Sequence, residues 1–282
     1  MQIFSRIYSC TYLLTLTSLL LVSCSGGNAE KQVVGGFVKE PPTAATKFSF
    51  NTDPASVVKD FNTWWNYHYR NINLTEEFIG LDADSIEIKK ERFLTELSTG
   101  KYVPIRLALT EGVTWYQLYP LKKTDLEISA TIKDDAGHIL VNYRMEGKQL
   151  PSFSFVDLRG NRYDPVNTRG KILVLKCWFI HCVACVQEFP ELNKLVDEFK
   201  DRPDVLFISL AMDQKPALQK FLETREFKYA TVADKKSFMK DNLQISQYPT
   251  HLIVDKDGMV RKVVNRCEEM VPALKRLVKQ SG

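Results

Sequence analysis

The sequence predicts an α/β protein in which a C-terminal domain, with a central mixed sheet flanked by helices, follows a smaller α+β domain. Two observations carry this prediction. From about Gln149 onward, apolar runs alternate with amphipathic segments, first as β-α-β and then as β-β-α. Before that point, helical spacing gives way to short strand-like runs. The length of 282 residues leaves room for two domains.

The composition is that of a globular protein. Hydrophobic residues make up 44% of the chain and charged residues 26%, which is ordinary for a folded domain. The net charge of +4 is spread out without a basic block, so we expect no nucleic-acid partner. The chain has no flavin or nicotinamide motif, and we predict neither a cofactor nor a bound metal.

Residues 1–23 are predicted to form a signal peptide. One early positive charge, Arg6, precedes the apolar run Tyr12–Val22, which is shorter than the about 20 residues of a spanning helix. The run ends in Leu21-Val22-Ser23-Cys24, which resembles a bacterial lipobox. That resemblance implies cleavage before Cys24 and lipidation of this residue. The alternatives are an uncleaved anchor or a coincidental cysteine.

Residues 24–47 are predicted to be a lipidated tether. This stretch is small and polar, and it contains Gly35-Gly36 and Pro41-Pro42, as flexible linkers do. The expected location is the cell envelope, facing the periplasm. Ser25 after the lipidated cysteine favours the outer membrane.

Residues 48–147 are predicted to form an α+β domain. Asp53 and Pro54 fit the start of a helix, and a second helix is expected over Ile88–Leu97. Strands are then expected at Tyr102–Leu109, Thr114–Tyr119, Leu126–Ile132 and His138–Met145, with a turn at Asp134-Asp135-Ala136-Gly137 before the last. We find no catalytic constellation here. Its aromatic residues could line a partner site, although a role in the core is the more ordinary interpretation.

The remaining residues, 148–282, are organised around one stretch. The apolar run Ile172–Phe179 predicts a buried strand. It is followed by Cys182-Val183-Ala184-Cys185 and by a helix over Cys182–Lys200, kinked at Pro190. The first turn of a helix favours a thiolate. Cys182 is therefore the predicted exposed nucleophile, and Cys185 the resolving thiol.

The other elements of this domain follow from the same patterns. An extended segment is expected at Pro151–Leu158 and turns back at Arg159-Gly160-Asn161. Further strands and helices are predicted at Val205–Ala211, Lys215–Phe227, Tyr229–Val232, Lys236–Leu243, Thr250–Asp255, Met259–Val264 and Glu268–Lys279. Asp257-Gly258 is the turn of the last hairpin.

These motifs together resemble the thioredoxin-like proteins of the TlpA/ResA type, within the redoxin/AhpC-TSA superfamily. The residues that carry the resemblance are Trp178, Cys182-x-x-Cys185, Glu188, Pro190 and Tyr248-Pro249-Thr250. The resemblance implies a thioredoxin fold for residues 148–282 and a redox-active disulfide between Cys182 and Cys185.

The resemblance also implies roles for residues around the pair. Pro249 is expected to follow a cis bond and to lie beside the cysteines. Trp178, Tyr248, Pro249 and Thr250 are then the candidate substrate-binding residues. Glu188 is the candidate proton acceptor for the buried thiol, since a partly buried carboxylate has a raised pKa.

The sequence departs from the family pattern in three places. His181 replaces a usual tryptophan, Val183-Ala184 replaces a usual x-Pro, and Cys177 occupies an apolar strand position. His181 could stabilise the Cys182 thiolate or could be merely solvated. The apolar Val183-Ala184 pair favours a reducing potential, nearer the about −270 mV of thioredoxin than the about −120 mV of DsbA. Cys177 and Cys267 are expected to be buried and inert.

The predicted function is thiol–disulfide oxidoreduction in the envelope. The expected partners are disulfide-bearing envelope proteins as substrates, a membrane or periplasmic thiol reductant, and the membrane through Cys24. One alternative is copper binding, for which His251 is the candidate third ligand, or partner binding without turnover. Another is a thiol peroxidase, although Phe179 stands where peroxiredoxins have Thr or Ser. Covalent haem would need a histidine where Val186 follows the pair.

Overall fold

The computed structural model describes residues 49–108 and 112–281, and the predicted signal peptide, lipidation site and tether lie outside them. Lys47–Gly282 form one compact unit. Its N-terminal region contains α1 Pro54–Val57, α2 Phe61–Asn71, β1 Phe78–Leu81, β2 Glu87–Ile88, α3 Lys90–Leu97, β3 Tyr102–Arg106, β4 Thr114–Pro120 and α4 Leu126–Met145.

The N-terminal region is a four-stranded sheet with helices packed on it. The strand order is β2-β1-β4-β3, with β1 and β4 parallel. Asp53 and Asp60 accept hydrogen bonds from the first free N–H groups of α1 and α2, which stabilises those helix ends. Trp64, Phe93 and Ile132 lie in a core of their own.

The prediction of two strands at Leu126–Ile132 and His138–Met145 is wrong, because this segment is the single helix α4. The buried residues Ile128, Ile132, Ala136 and Leu140 are spaced by four, which is the period of a helix face. The β-branched residues that indicated strands pack on α3 and β3 instead. The supposed turn at residues 134–137 is mid-helix.

The C-terminal region contains a mixed five-stranded sheet with helices on both faces. Its elements are β5 Phe155–Val156, β6 Arg162–Tyr163, β7 Ile172–Trp178, α5 Val183–Gln187, α6 Phe189–Glu198, β8 Val205–Ala211, α7 Lys215–Leu222, β9 Ala230–Val232, a π-helical turn Phe238–Asn242, β10 Thr250–Val254, β11 Val260–Val264 and α8 Cys267–Ser281.

The sheet order is β11-β10-β7-β8-β9. β7 and β8 are parallel, as are β8 and β9, whereas β10 is antiparallel to β7 and β11 to β10. All seven residues of the central strand β7 are buried. The predicted thioredoxin fold is confirmed by this order and these directions, with β-α-β followed by β-β-α.

The N-terminal region is attached to the edge strand β11. The Val260 N–H donates to the Lys148 carbonyl at 2.8 Å, and the Gly147 N–H donates to the Val260 carbonyl at 2.8 Å. A carboxylate oxygen of Glu146 accepts from the Val263 N–H at 3.0 Å. The outer edge of β11 is therefore hydrogen-bonded to the segment that follows α4.

None of the described helices combines the length and the apolar character that crossing a membrane requires.

Candidate active site

The cysteine pair lies where β7 turns into α5. Cys182 is the N-cap residue of α5, and its Sγ accepts a hydrogen bond from the Cys185 N–H at 3.2 Å. A disulfide joins the two residues. Cys182 is 7% exposed and Cys185 is fully buried, so Cys182 is the more accessible sulfur but is less exposed than predicted. Free N–H groups at the helix start favour a thiolate at Cys182 after reduction.

The helix after the pair is divided rather than kinked. α5 ends at Gln187, and α6 begins at Phe189 with Pro190 in its first turn. Proline has no N–H and its ring clashes with the carbonyl four residues earlier, here that of Val186. Glu188 therefore stands at the junction of two helices.

The second predicted element of the site is the loop that precedes β10. The Tyr248–Pro249 peptide bond is cis, as predicted. Thr250 pairs with Cys177 of β7, and the Tyr248 ring meets the Phe179 ring edge-on with centroids 5.7 Å apart. The loop thus lies against the turn that carries Cys182.

The side chain of Asn265 fixes this loop. Its Nδ2 donates to the Pro249 carbonyl at 3.0 Å and to the Thr250 Oγ1 at 2.9 Å. Its Oδ1 accepts from Asn142 of α4 at 2.9 Å. The Thr250 side chain is buried, so what this residue can offer to a substrate is its main chain.

Glu188 is held in a buried charged cluster that sequence analysis missed. One carboxylate oxygen contacts the Lys176 ammonium and lies 3.0 Å from the His251 Nε2. The other oxygen accepts from the Cys267 N–H at 2.9 Å. Lys176 and His251 are fully buried and face each other across β7 and β10. The signal in the sequence was the lysine inside the otherwise apolar strand β7.

The prediction of a raised pKa for Glu188 is wrong. Burial raises the pKa of this carboxyl, but the hydrogen bond from His251 and the charge of Lys176 outweigh it and lower the pKa to about 2. Burial lowers the pKa of His251, so its imidazole is neutral at pH 7. His251 Nδ1 has no hydrogen-bond partner, which fits a proton on Nε2. An ionised Glu188 in this cluster is a poor proton acceptor.

The position of Trp178 gives no support to its predicted role in binding substrate. Its side chain is fully buried and packs edge-on against Phe189 at 5.0 Å and Phe227 at 5.8 Å. Together with both cysteines it belongs to one hydrophobic cluster. Trp178 therefore supports the disulfide from beneath and offers no surface to a partner.

The remaining described cysteines are buried, as predicted. Burial raises the pKa of the Cys177 thiol well above its usual range and that of Cys267 to about 12. Neither thiol is ionised at neutral pH. His181 is exposed to solvent.

The geometry gives no support to copper binding through His251. Among residues 49–108 and 112–281, the one group of three potential ligand atoms joins Glu188, Cys267 and Glu268. It does not contain His251, whose Nε2 lies 3.0 Å from a carboxylate oxygen of Glu188. Glu188 is already paired with the ammonium of Lys176, which disfavours a metal ion at this group.

Comparison with known proteins agrees with this site. The AhpC/TSA family profile matches residues 147–263. The chain is 30% identical over 120 residues to the thioredoxin-like protein YneN of Bacillus subtilis, covering 42% of this chain and 70% of that protein. It is 27% identical over 174 residues to the thiol-disulfide oxidoreductase ResA of Bacillus cereus, covering 61% of this chain and 87% of that protein.

Among solved structures, the thioredoxin domain of a thiol-disulfide oxidoreductase from Bacteroides vulgatus is 22% identical and has a TM-score of 0.43. The alignment covers 46% of this chain and 96% of that domain.

The similarity to YneN extends over more than two thirds of that protein. The chain therefore belongs to the thioredoxin-like thiol–disulfide oxidoreductases of the ResA type.

Proposed function

We propose that this enzyme is a lipid-anchored reductant of the bacterial cell envelope that reduces disulfides of other envelope proteins. The observation that carries the proposal is the Cys182–Cys185 disulfide at the start of α5, with the less buried sulfur on Cys182. The lipobox-like segment ending at Cys24 supports attachment to a membrane, and Ser25 favours the outer one. Tyr248 and Pro249 flank the pair and are the proposed substrate contacts.

The proposed reaction transfers two electrons to the substrate. The Cys182 thiolate attacks one sulfur of a substrate disulfide, which forms a mixed disulfide and releases the other sulfur as a thiolate. The Cys185 thiolate then attacks the Cys182 sulfur and releases the second substrate thiolate. Solvent protonates the substrate thiols, and the enzyme is left as the Cys182–Cys185 disulfide. A second envelope thiol protein must return it to the dithiol.

Replacing Cys185 by serine is expected to trap this intermediate. The Cys185→Ser variant can form the mixed disulfide through Cys182 but cannot resolve it. We expect envelope proteins to co-purify with the variant and to separate from it on treatment with dithiothreitol. The matched control is Cys182→Ser/Cys185→Ser, which should trap none. Equal recovery of partners with both variants, or none from a folded Cys185→Ser protein, would refute the proposal.

The direction of electron flow is tested by the midpoint potential. Val183 and Ala184 are both exposed and bring no charge to the pair. We therefore expect a value near the about −270 mV of thioredoxin. The measurement is an equilibrium titration in dithiothreitol and glutathione buffers, with the redox state of the pair assayed by alkylation. A midpoint near the about −120 mV of DsbA would instead indicate an oxidant.

A further inference from the structure

A groove beside the cysteine pair continues onto the N-terminal region. A cavity of about 800 Å³ is lined by Ala184, which lies between the cysteines, and by Pro249. A second cavity of about 260 Å³ is lined by Trp65 of α2. The residues common to both linings are Tyr69, Asn265 and Arg266. Helix α2 of the N-terminal region thus forms the far wall of a groove that begins at the redox site.

Large apolar side chains are exposed along this groove. Trp65 is 44% exposed and Tyr69 is 68% exposed, and they are one turn apart on α2. Exposed aromatic side chains beside a groove are typical of surfaces that bind other proteins.

The groove near the cysteines is also acidic. The exposed carboxylates of Glu191 and Glu268 line this cavity, and that of Glu191 lies 3.3 Å from the solvent-exposed Lys194 ammonium. Among the described residues of that lining, the one cation is Arg266, which is paired with Glu269 at 2.5 Å. A partner with a basic side chain would therefore complement this surface.

The wall formed by α2 belongs to a region that is fixed to the active site. Asn142 of α4 is hydrogen-bonded to Asn265, which in turn holds the Pro249 carbonyl. On the other side of the region, Arg276 of α8 makes two contacts of 3.0 Å with Glu76. These contacts hold the N-terminal region against β10, β11 and α8, so the groove is formed before a substrate arrives.

We propose that the groove is the substrate-docking surface of the enzyme, and that its occupant is an extended peptide segment of the substrate beside the disulfide. A basic side chain of that segment faces Glu268 and Glu191, and an aromatic side chain packs on Tyr69 and Trp65. This proposal rests on the proposed reductase function and adds a substrate class to it. The N-terminal region then supplies specificity to the redox site.

The test uses two synthetic peptides, each closed by an internal disulfide. One carries Trp and Arg next to the disulfide, and the other carries Ser and Asp at those positions. The small disulfide reagent DTNB, which needs no docking, reports on the dithiol alone. In each reaction the enzyme dithiol becomes a disulfide and the probe disulfide becomes two thiols.

We expect the second-order rate constant of the reduced, unaltered chain to be about tenfold higher for the Trp/Arg peptide than for the Ser/Asp peptide, which is the size of effect expected for one aromatic contact at a partly exposed site. Tyr69→Ala should remove most of this preference and leave the DTNB rate unchanged. Glu268→Gln should lower the rate with the Trp/Arg peptide more at low salt than at high salt. The matched control is Ile86→Ala, which removes an equally exposed apolar side chain (61% exposed) outside the groove.

The outcomes separate the two proposals. If the reduced chain reacts with neither peptide nor DTNB, the reductase function fails. If it reduces both peptides at one rate and Tyr69→Ala changes nothing, the reductase function stands and the docking surface is refuted. A Tyr69→Ala variant that loses DTNB activity too would also refute docking, because the damage would lie at the dithiol. If the rate constant for peptide reduction falls as the enzyme concentration rises, a second copy of the chain fills the groove. That outcome would refute the proposal that a substrate peptide is its occupant.

Discussion

Lys176→Met is expected to lower the free energy of unfolding by about 3–5 kcal/mol at pH 7. The substitution leaves the Glu188 carboxylate without its cation in a site where its side chain is almost fully enclosed. Removing one partner of a buried ion pair costs this much because the remaining charge is uncompensated. Urea denaturation of the two proteins measures this difference, provided that the free energy of unfolding falls with urea concentration at the same slope in both.

The double variant Lys176→Met/Glu188→Gln provides the control. The amide oxygen that replaces the Glu188 carboxylate would still accept hydrogen bonds from His251 or from the Cys267 N–H, without a buried charge. We therefore expect the double variant to regain about half or more of the stability that Lys176→Met loses. A double variant no more stable than the single one would show that Lys176 matters through packing alone.

The pH dependence gives a second test of the same cluster. In the unaltered protein the folded-state pKa of Glu188, about 2, lies below its ordinary value of 4.5. Its contribution to the free energy of unfolding is therefore complete above about pH 4.5 and is lost as the pH falls toward 2. His251 also lowers the stability of the folded state as the pH falls below about 6.5, since burial lowers the pKa of its imidazole.

In Lys176→Met, the ammonium no longer offsets the effect of burial on Glu188, so the pKa of this carboxyl is higher than in the unaltered protein. Protonation of Glu188 at low pH then favours the folded state of the variant. The stability gap between the two proteins should accordingly narrow between about pH 7 and pH 4. A gap that stays constant over this range would contradict an ionised Glu188 paired with Lys176.

Trp178→Ala is expected to destabilise the protein by about 3–5 kcal/mol, because it removes a fully buried indole and leaves a cavity between β7 and the rings of Phe189 and Phe227. The matched control is Trp65→Ala, whose side chain is half-exposed, and it should change stability by about 1 kcal/mol or less. Urea denaturation followed by circular dichroism measures both.

Peptide kinetics decide whether Trp178 also binds substrate. Well below its unfolding temperature, the Trp178→Ala variant should keep the KM of the unaltered enzyme, since the indole does not reach the surface. A raised KM together with unchanged stability would restore the substrate-binding role that the sequence pattern indicated.

The parts of the site that are local in sequence were predictable. Cys182 and Cys185 belong to one helical turn, and the strand before them is apolar. A proline opening a strand indicated the cis bond at Pro249. The state of Glu188 was not predictable in this way, because its partners Lys176 and His251 are 12 and 63 residues away in the chain. Pairing of β7 with β10 brings them together, and that pairing decides the sign of the pKa shift.

The error over α4 has a similar origin. Ile128, Ile132 and Leu140 are β-branched or aliphatic residues that suit strands, and Asp134-Asp135-Ala136-Gly137 has the composition of a turn. What selects the helix is its contact with α3 and the buried face at a spacing of four. Tertiary packing here overrides local preference. The same helix places Asn142 beside the active-site loop, and no local pattern could have shown this.

The hydrogen bonds that Gly147 and Lys148 make to Val260 bear on the solubility of the C-terminal region. β11 is an edge strand rich in valine, and an unpaired edge of this kind offers a template on which other chains can add strands. In the whole chain, Gly147, Lys148 and Glu146 occupy that edge. A protein trimmed to begin after Lys148 would present the bare edge to its own copies and become prone to aggregate. The segment that follows α4 thus also covers the exposed edge of the redox domain.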